Sequence, residues 1–141
     1  MRKKKMTNPE KDERSALIQI AIEARKKAYV PYSHYPVGAA LLTKSGKIFT
    51  GANIENAAFP VTICAERTAI FKAVSEGELE LEAIAVVTKN GGTPCGSCRQ
   101  VMAEFNPKLK IYIANEKGEL VQETQLKDIL PGYFGPKSLV P

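Results

Sequence analysis

Apolar residues in the first part of the chain recur at the spacing of a helix that is buried along one side. The stripe consists of Leu17, Ile20, Ala21 and Ala24. The run Asn8-Pro9-Glu10 supplies an N-cap, a proline at the first helical position and an acidic side chain in the first turn. The Val30-Pro31 pair prevents the helix from continuing. A long first helix is therefore predicted between these two signals.

The pattern then changes to one that is typical of strands. Residues 37–43 and 48–53 are separated by a short polar turn, which predicts an antiparallel hairpin. Gly38 and Gly51 interrupt the two strands, and each marks either a bulge or a place where another part of the backbone approaches closely. Residues 54–61 show no period and are predicted to be a loop.

Helices and strands alternate in the rest of the chain. A helix at residues 63–75 is predicted to be capped by Thr62 and closed by Gly77. Residues 83–87 are almost uninterruptedly apolar, as expected for a central strand buried on both faces. The remaining predicted elements are a helix at 95–105, a strand at 110–114, a weaker edge strand at 120–124 and a short helix at 126–130. The predicted fold is a three-layer α/β/α domain with a mixed five-stranded sheet.

Charge is concentrated at the start of the chain. The formal net charge is +5, of which Arg2, Lys3, Lys4 and Lys5 supply four, so the rest carries +1. We expect residues 1–8 to form a flexible basic arm and residues 9–141 a single catalytic domain. The nearly neutral body argues against a nucleic-acid partner. No apolar run follows the arm that could serve as a signal peptide or membrane span, so we expect a cytoplasmic protein without a membrane partner.

The three cysteines carry the chemistry of the chain. Their odd number, without an export signal, favours metal binding or redox chemistry over disulfides. Cys95-x-x-Cys98 alone could be a thioredoxin-like dithiol, but Cys64 adds a third sulfur and Glu66 a carboxylate that such a motif does not need. Three thiolates leave a zinc ion one open position for water, and a nearby glutamate can move protons. The cluster predicts a hydrolase that uses Zn²⁺.

Each neighbour of this cluster has an ordinary alternative role. Three thiolates around Zn²⁺ leave a net negative charge, which Arg67 would offset by donating hydrogen bonds to sulfur, or else Arg67 lies on a solvated helix face. Glu66 could be only a first-turn glutamate that the helix dipole favours. His34 is the only histidine. It could close the site as a fourth ligand, but this would leave Glu66 without a task.

These residues occur in motifs that extend over most of the chain. Cys64-Ala65-Glu66 with Pro94-Cys95-Gly96-Ser97-Cys98 fits the signature of zinc deaminases with three cysteine ligands. Further matching motifs are Pro31-Tyr32-Ser33, Pro36-Val37-Gly38-Ala39-Ala40, Asn53-Ile54-Glu55-Asn56-Ala57, Cys98-Arg99-Gln100, Leu130-Pro131 and Phe134-Gly135-Pro136. From about residue 15 to residue 136, the chain resembles the zinc-dependent cytidine deaminases of the small homotetrameric type.

The resemblance implies an activity, a cofactor and an assembly. The activity is hydrolytic deamination of cytidine and 2′-deoxycytidine to uridine and 2′-deoxyuridine with release of ammonia, a reaction of pyrimidine salvage. The cofactor is Zn²⁺, with Cys64, Cys95 and Cys98 as its ligands and Glu66 as the acid and base. The assembly is a homotetramer with active sites at subunit interfaces, and the substrate partner is a small nucleoside.

The resemblance also implies substrate-binding residues. Asn53 and Glu55 would bind the ribose, although an amide and a carboxylate at this point could merely shape a turn. Ala65 and Phe59 would contact the substrate, and Phe134 would stack on the pyrimidine ring across a subunit boundary. Composition alone favours an apolar C-terminal end that docks on its own domain.

Two positions depart from the family pattern, since Phe59 stands where relatives often have tyrosine and Tyr35 where they often have phenylalanine. The first departure removes a possible hydroxyl contact to the substrate.

Two other functions remain open at this point. The same chemistry could act on another cytosine nucleoside, such as an antibiotic nucleoside, or on bases in a nucleic acid. Glu55 and the nearly neutral body argue against both. A function from a different class is a zinc-stabilised module that holds nucleic acid with its basic arm, which predicts salt-sensitive binding that depends on residues 2–5.

Overall fold

A computed structural model of the chain describes residues 8–139. Within this range the elements are α1 (Asn8–Arg25), β1 (Gly38–Thr43), β2 (Ile48–Ala52), a 3-10 turn (Phe59–Val61), α2 (Ala65–Ser75), β3 (Leu81–Val87), α3 (Gly96–Phe105), β4 (Lys110–Ala114), β5 (Leu120–Gln125), α4 (Leu126–Ile129) and α5 (Pro136–Leu139). No helix in the described range combines the length and the apolar character that a bilayer crossing requires.

The strands form one mixed sheet in the order β2-β1-β3-β4-β5. The central pair, β3 and β4, is parallel, and every other neighbouring pair is antiparallel. β3 is buried along almost its whole length, as its uninterrupted apolar run predicts, whereas β5 lies at an exposed edge. The predicted mixed five-stranded sheet, with residues 83–87 in its centre, is confirmed.

Helices cover both faces of the sheet, which confirms the predicted three-layer architecture. α1 packs on one face, where the buried residues are Leu17, Ile18, Ala21, Ala40, Ala83, Ala85, Val87, Tyr112 and Ala114. α2 and α3 pack on the other face over a larger core that includes Leu41, Phe49, Ile70, Ile84, Met102, Leu109 and Ile111. The alternation of side chains along each strand therefore divides the apolar residues between two cores.

Gly38 and Gly51 allow the helices to approach the sheet closely. A Cβ atom at Gly38 would lie 2.1 Å from the carbonyl oxygen of Ala21 in α1. A Cβ atom at Gly51 would lie 2.2 Å from the carbonyl oxygen of Ala65 in α2. Of the two alternatives that the sequence left open, close backbone approach is confirmed at both glycines. The contact at Gly51 brings the start of α2 against the end of β2.

The first helix is shorter than predicted, since it ends at Arg25 and not near Val30. The chain turns at Lys26 and Lys27 and then pairs with the segment after β2. Tyr29 donates its backbone N–H to the carbonyl of Asn53 (3.0 Å), and its own carbonyl accepts the N–H of Glu55 (2.9 Å). Tertiary pairing of this segment ends the helix before the proline does.

Two helix starts lie one or two residues later than predicted, and each difference moves a cysteine to the N-cap. The second helix begins at Ala65, so Cys64 is its N-cap, and Thr62 is not a cap but accepts the N–H of Asn56 at 3.1 Å. The third helix begins at Gly96, with Cys95 as its N-cap. Cys64 and Cys95 therefore precede their helices, whereas the predicted ranges 63–75 and 95–105 would place both in the first turn.

The predicted basic arm at residues 1–8 falls almost wholly outside the described residues, and the one residue of it that is described, Asn8, is already helical. Other predicted boundaries agree to within two residues. The 3-10 turn at Phe59–Val61 lies in a segment predicted to be a loop, and the short helix α5 was not predicted.

Adding a methyl group at Gly51 tests the close packing of α2 on the sheet. We expect Gly51→Ala to lower the free energy of unfolding by about 1–3 kcal/mol or more, because the new Cβ meets backbone atoms of α2 that must move. Gly96→Ala is the matched control, since a Cβ there meets no atom within 4 Å and Gly96 is not among the glycines with positive φ. Urea denaturation of both variants measures the difference, and equal midpoints would contradict the close contact.

Candidate metal centre and active site

Three sulfur atoms converge where α2 and α3 begin. The Sγ atoms of Cys64 and Cys95 are 3.8 Å apart, and those of Cys95 and Cys98 are 3.5 Å apart. All three lie within 4.8 Å of one another, and among the described residues no histidine or carboxylate joins this group. The structure thus brings together the three cysteines that the sequence singled out, while His34 is not a member of the group.

The sulfur spacing fits a tetrahedral metal site. Zn–S bonds of about 2.3 Å at tetrahedral angles place two sulfurs about 3.8 Å apart, close to the separations found here. Three ligands leave one corner of a tetrahedron free, which is the arrangement of catalytic and not of structural zinc sites. The donor set and its geometry therefore fit zinc with an open position.

Helix termini favour negative charge at this point. Cys64 and Cys95 are the N-caps of α2 and α3, and Cys98 lies in the first turn of α3. The unpaired N–H groups and the dipoles of both helices point their positive ends at the sulfurs. Neither N-cap side chain forms a capping hydrogen bond, so neither sulfur is bound to the N–H groups of its own helix.

The neighbouring thiol groups of Cys64 and Cys98 shift each other's pKa in opposite directions. Hydrogen bonding with Cys98, helped by the guanidinium of Arg67, lowers the pKa of the Cys64 thiol to about 5 against the cost of burial. The same contact raises the pKa of Cys98, and burial raises it further. Three adjacent sulfurs cannot all become negative unless a cation compensates them. A bound divalent metal ion would supply this compensating positive charge.

Arg67 contacts the cluster directly. Its Nη2 atom donates a hydrogen bond to Sγ of Cys64 at 3.2 Å. Its Nε atom is buried without a hydrogen-bond partner in the described part of the chain. The position of Arg67 directly after Glu66 did not guarantee this contact, because successive side chains on a helix point about 100° apart. The guanidinium nevertheless folds back by one turn, from position 67 to position 64, and does not lie on a solvated face.

Glu66 is buried beside the sulfurs, with 4% of its surface exposed. Burial raises the pKa of its carboxyl group, and the charge on Cys64 raises it further. A buried acid close to a metal site is suited to give and take protons during a reaction.

Asn53 is bonded to the loop that precedes β1. Its Oδ1 atom accepts the backbone N–H of Val37 at 2.9 Å, and its Nδ2 atom donates to the carbonyl of Tyr35 at 2.9 Å. The next residue, Ile54, forms an antiparallel bridge with Ile63. This bridge holds the end of β2 against the residue that precedes Cys64. Asn53 is thus positioned close to the start of α2.

Glu55 is held by the same loop. Its Oε1 atom accepts the N–H groups of Tyr32 (3.0 Å) and Ser33 (3.1 Å), and its Oε2 atom accepts the hydroxyl of Ser33. The Ser33 hydroxyl lowers the pKa of the Glu55 carboxyl, and both backbone N–H groups act in the same direction. The carboxylate is therefore held as an anion in a defined orientation.

An open cavity of about 420 Å³ adjoins Glu55. Its lining consists of Tyr32, Ser33, Glu55, Phe59 and Thr62. The ring of Phe59 meets that of Tyr32 edge to face at 5.9 Å, yet 70% of Phe59 remains exposed. Grooves of similar volume occur elsewhere on the surface, so it is the polar and aromatic lining, not size, that makes this cavity a candidate binding site.

Ala65 and Phe134 have opposite environments. The Ala65 side chain is fully buried in the core, so only its main chain could contact a ligand. The C-terminal segment docks on its own domain, as composition favoured, because Tyr133 packs against the core, but the next residue, Phe134, is 57% exposed. Its carbonyl accepts a hydrogen bond from Nε2 of Gln100 at 2.7 Å, so α3 holds the segment that presents the ring.

Sequence reasoning missed several residues that fix these groups. Ser33 and Gln100 lie inside recognised motifs, but neither had been given a role. Arg99, the neighbour of Cys98, donates to the carbonyls of Pro94 (2.8 Å) and Ile129 (2.7 Å). Their position beside the cysteines or in the Pro31-Tyr32-Ser33 run was the only available signal.

Comparison with known proteins shows which family has this zinc-binding region. The family model described as the cytidine and deoxycytidylate deaminase zinc-binding region matches residues 11–114. A cytidine deaminase of Halalkalibacterium halodurans is 55% identical over 86% of this chain and 94% of its own length. A cytidine deaminase of Sporosarcina psychrophila is 52% identical over 87% and 92% of the two chains.

A solved structure shows the same fold. The crystal structure of cytidine deaminase from Burkholderia pseudomallei superposes with a TM-score of 0.81 and 46% sequence identity, over 92% of this chain and all of the other. The region that the family model matches, residues 11–114, contains the three cysteines, Glu66 and the strands that position them. The chain belongs to the zinc-binding cytidine and deoxycytidylate deaminase family.

Proposed function

We propose that this protein catalyses the hydrolytic deamination of cytidine and 2′-deoxycytidine. The observation that carries the proposal is the convergence of three metal-binding sulfurs and one buried carboxyl group at the point where α2 and α3 begin. Cys64, Cys95 and Cys98 would hold zinc. Bound zinc supplies a Lewis acid that makes water a nucleophile near neutral pH.

Glu66 is proposed to move the protons of the reaction. Water adds to C4 of the cytosine ring, and the carboxylate takes one of its protons and gives it to N3. The second proton passes by the same route to the exocyclic amine, the C4–N bond breaks, and ammonia leaves. Uridine or 2′-deoxyuridine remains, so the atoms of water and nucleoside are accounted for. The burial of Glu66 next to Cys64 and Cys98 supports this assignment.

Asn53 and Glu55 are proposed to bind the sugar. Each makes internal hydrogen bonds but retains unused capacity, since an amide offers two donors and two acceptor sites and a carboxylate about four acceptor sites. Glu55 uses three of its sites and Asn53 uses one donor and one acceptor. Oriented groups with spare capacity can receive sugar hydroxyls, and they penalise ligands that lack these hydroxyls.

The base is proposed to lie between backbone and aromatic groups. Ala65 directly precedes Glu66, so its main chain would contact the base next to the acid. The ring of Phe59 lines the cavity beside Glu55 and would contact the base from that side. Phe134 is proposed to cover the pyrimidine ring of the substrate bound to a neighbouring protomer. Its exposed side chain and the Gln100 contact that holds its segment support this proposal.

The proposed assembly is a homotetramer with active sites at subunit interfaces. Large apolar side chains are exposed on the segments that adjoin Glu55 and its cavity, namely Tyr29, Tyr32, Ile54, Phe59 and Val61, and Phe134 is exposed in the C-terminal segment. Such a concentration of exposed apolar surface is typical of an interface. We further propose a cytoplasmic location and a role in pyrimidine salvage, supported by three free thiols that suit a reducing compartment.

Replacing the proposed proton carrier tests the function. Glu66→Gln should retain stoichiometric zinc, because the ligands are untouched, while turnover of cytidine falls by roughly 10²–10⁴-fold. Loss of absorbance by cytidine measures turnover, and atomic absorption measures zinc. Glu76→Gln, an exposed position at the end of the same helix, is the matched control and should leave both unchanged. Turnover that survives in Glu66→Gln would refute the role of Glu66.

Removing the positive charge beside the sulfurs tests the role proposed for Arg67. Arg67→Gln should lower turnover or zinc affinity by about 10–100-fold, the usual cost of losing a group that orients a metal ligand. Arg67→Lys, which keeps the charge without the planar fork, should fall between wild type and Arg67→Gln. Lys72→Gln removes a charge from the same helix further from the metal and serves as control. Equal turnover and zinc retention in all four proteins would exclude charge compensation by Arg67.

Mixing two inactive chains tests whether Phe134 acts across an interface. Glu66→Gln and Phe134→Leu should each lose activity alone. After the two are unfolded and refolded together, about one quarter of the sites should combine an intact Glu66 with an intact Phe134 from a neighbour, and activity should return. Light scattering on the mixture reports the assembly. No gain over the separate chains would show that Phe134 serves its own protomer.

A further inference from the structure

A hydrogen bond between Tyr35 and Asn90 connects two loops that are far apart in the sequence. The Tyr35 hydroxyl donates to Oδ1 of Asn90 at 2.6 Å across 55 positions of the chain. Tyr35 lies in the loop that leads into β1, and Asn90 lies between β3 and the run that enters Cys95. The bond therefore spans from the sugar-binding side of the proposed site to its metal-binding side.

At one end, Tyr35 belongs to the network that holds both proposed sugar-binding residues. Its backbone N–H donates to the Ser33 hydroxyl oxygen at 3.1 Å, and that hydroxyl donates to Glu55. Its carbonyl accepts Nδ2 of Asn53 at 2.9 Å. A displacement of Tyr35 would therefore move the surroundings of Asn53 and Glu55 together.

At the other end, Asn90 starts a loop that is tied down up to the first metal-binding cysteine of α3. The N–H of Gly92 donates to the hydroxyl of the buried Thr88 at 2.7 Å. Arg99 contacts the Thr93 hydroxyl and the carbonyl of the next residue. A Cβ atom at Gly92 would come within 3.0 Å of the Tyr35 hydroxyl, so the tyrosine also packs closely on this loop. Movement at Asn90 is thereby transmitted toward Cys95.

We propose that Tyr35 is a positioning residue whose hydroxyl, through Asn90, sets the spacing between the sugar-binding residues and the metal-binding cysteines. This inference rests on the proposed function. The substrate must reach both sides of the site at once, with the sugar at Asn53 and Glu55 and C4 at the metal. Small errors in such a spacing reduce rate and affinity strongly.

The inference predicts a loss that depends on the sugar. Tyr35→Phe removes one oxygen atom and keeps the ring, so it should lower kcat/KM for cytidine by about 3–10-fold, mainly through KM. For 2′,3′-dideoxycytidine the loss should be under about twofold, because this sugar lacks the 2′ and 3′ hydroxyls that the positioned groups would bind. The preference for cytidine over its dideoxy analogue should therefore shrink.

Variants at Asn90 test whether the bond itself is responsible. Asn90→Ala should reproduce the effect of Tyr35→Phe, and the double variant should add little to either change alone. Asn90→Asp keeps an oxygen acceptor and should stay within about twofold of wild type. Tyr112→Phe is the matched control, since it also removes a bonded tyrosine hydroxyl, here the donor to Glu13 at 3.0 Å in the core under α1. It should leave the substrate preference unchanged.

The outcomes separate this inference from the proposed function. Turnover of cytidine by the wild-type protein is measured first, and its absence would refute the proposed function and this inference with it. Turnover with an unchanged substrate preference in Tyr35→Phe, or equal losses on both nucleosides, would overturn the positioning role alone. Additive losses in the double variant would likewise exclude the Tyr35–Asn90 bond as the cause.

Discussion

The concentration of three sulfur ligands at one point is the constraint on which this structure depends. Thiolates repel one another and lose water when they are brought together, so positive groups must surround them. Here two helix N-termini and the Arg67 guanidinium provide part of that compensation, and a bound zinc ion would supply the rest. Both helices must therefore begin at the same place. The glycine at position 51 lets α2 lie close enough to the sheet for this to happen.

The rest of the site follows from where α2 begins. The bridge between Ile54 and Ile63 joins the end of β2 to the approach to Cys64, and the Tyr29 backbone pairs with the same segment from the other side. The same pairing accompanies the early end of α1 at Arg25. Architecture and chemistry are thus linked by a few backbone contacts, each of which fixes one wall of the site relative to the metal ligands.

Sequence patterns predicted the elements that depend on local periodicity. The apolar run in β3 identified the central strand, and the Cys and Glu residues pointed to the group of three sulfurs and to the buried carboxyl group of Glu66. Helix starts were less predictable, because Cys64 caps α2 only when a tertiary bridge holds the preceding residue. Contacts such as Ser33 with Glu55 or Gln100 with Phe134 join positions 22 and 34 apart, and no local pattern records them.

In a single protomer the carboxyl group of the site is buried, but other groups of the site are exposed to solvent. Glu66 is buried, yet Cys95 and Phe134 are exposed, and so is Phe59, which lines the cavity next to Glu55. The addition of water to the cytosine ring and the proton transfers that follow are favoured where bulk solvent is excluded, because fixed dipoles then act at low dielectric. Covering aromatic groups from a second protomer would meet this requirement without altering the buried acid. The proposed assembly is therefore part of the chemistry, since it would close a site that a single chain leaves open.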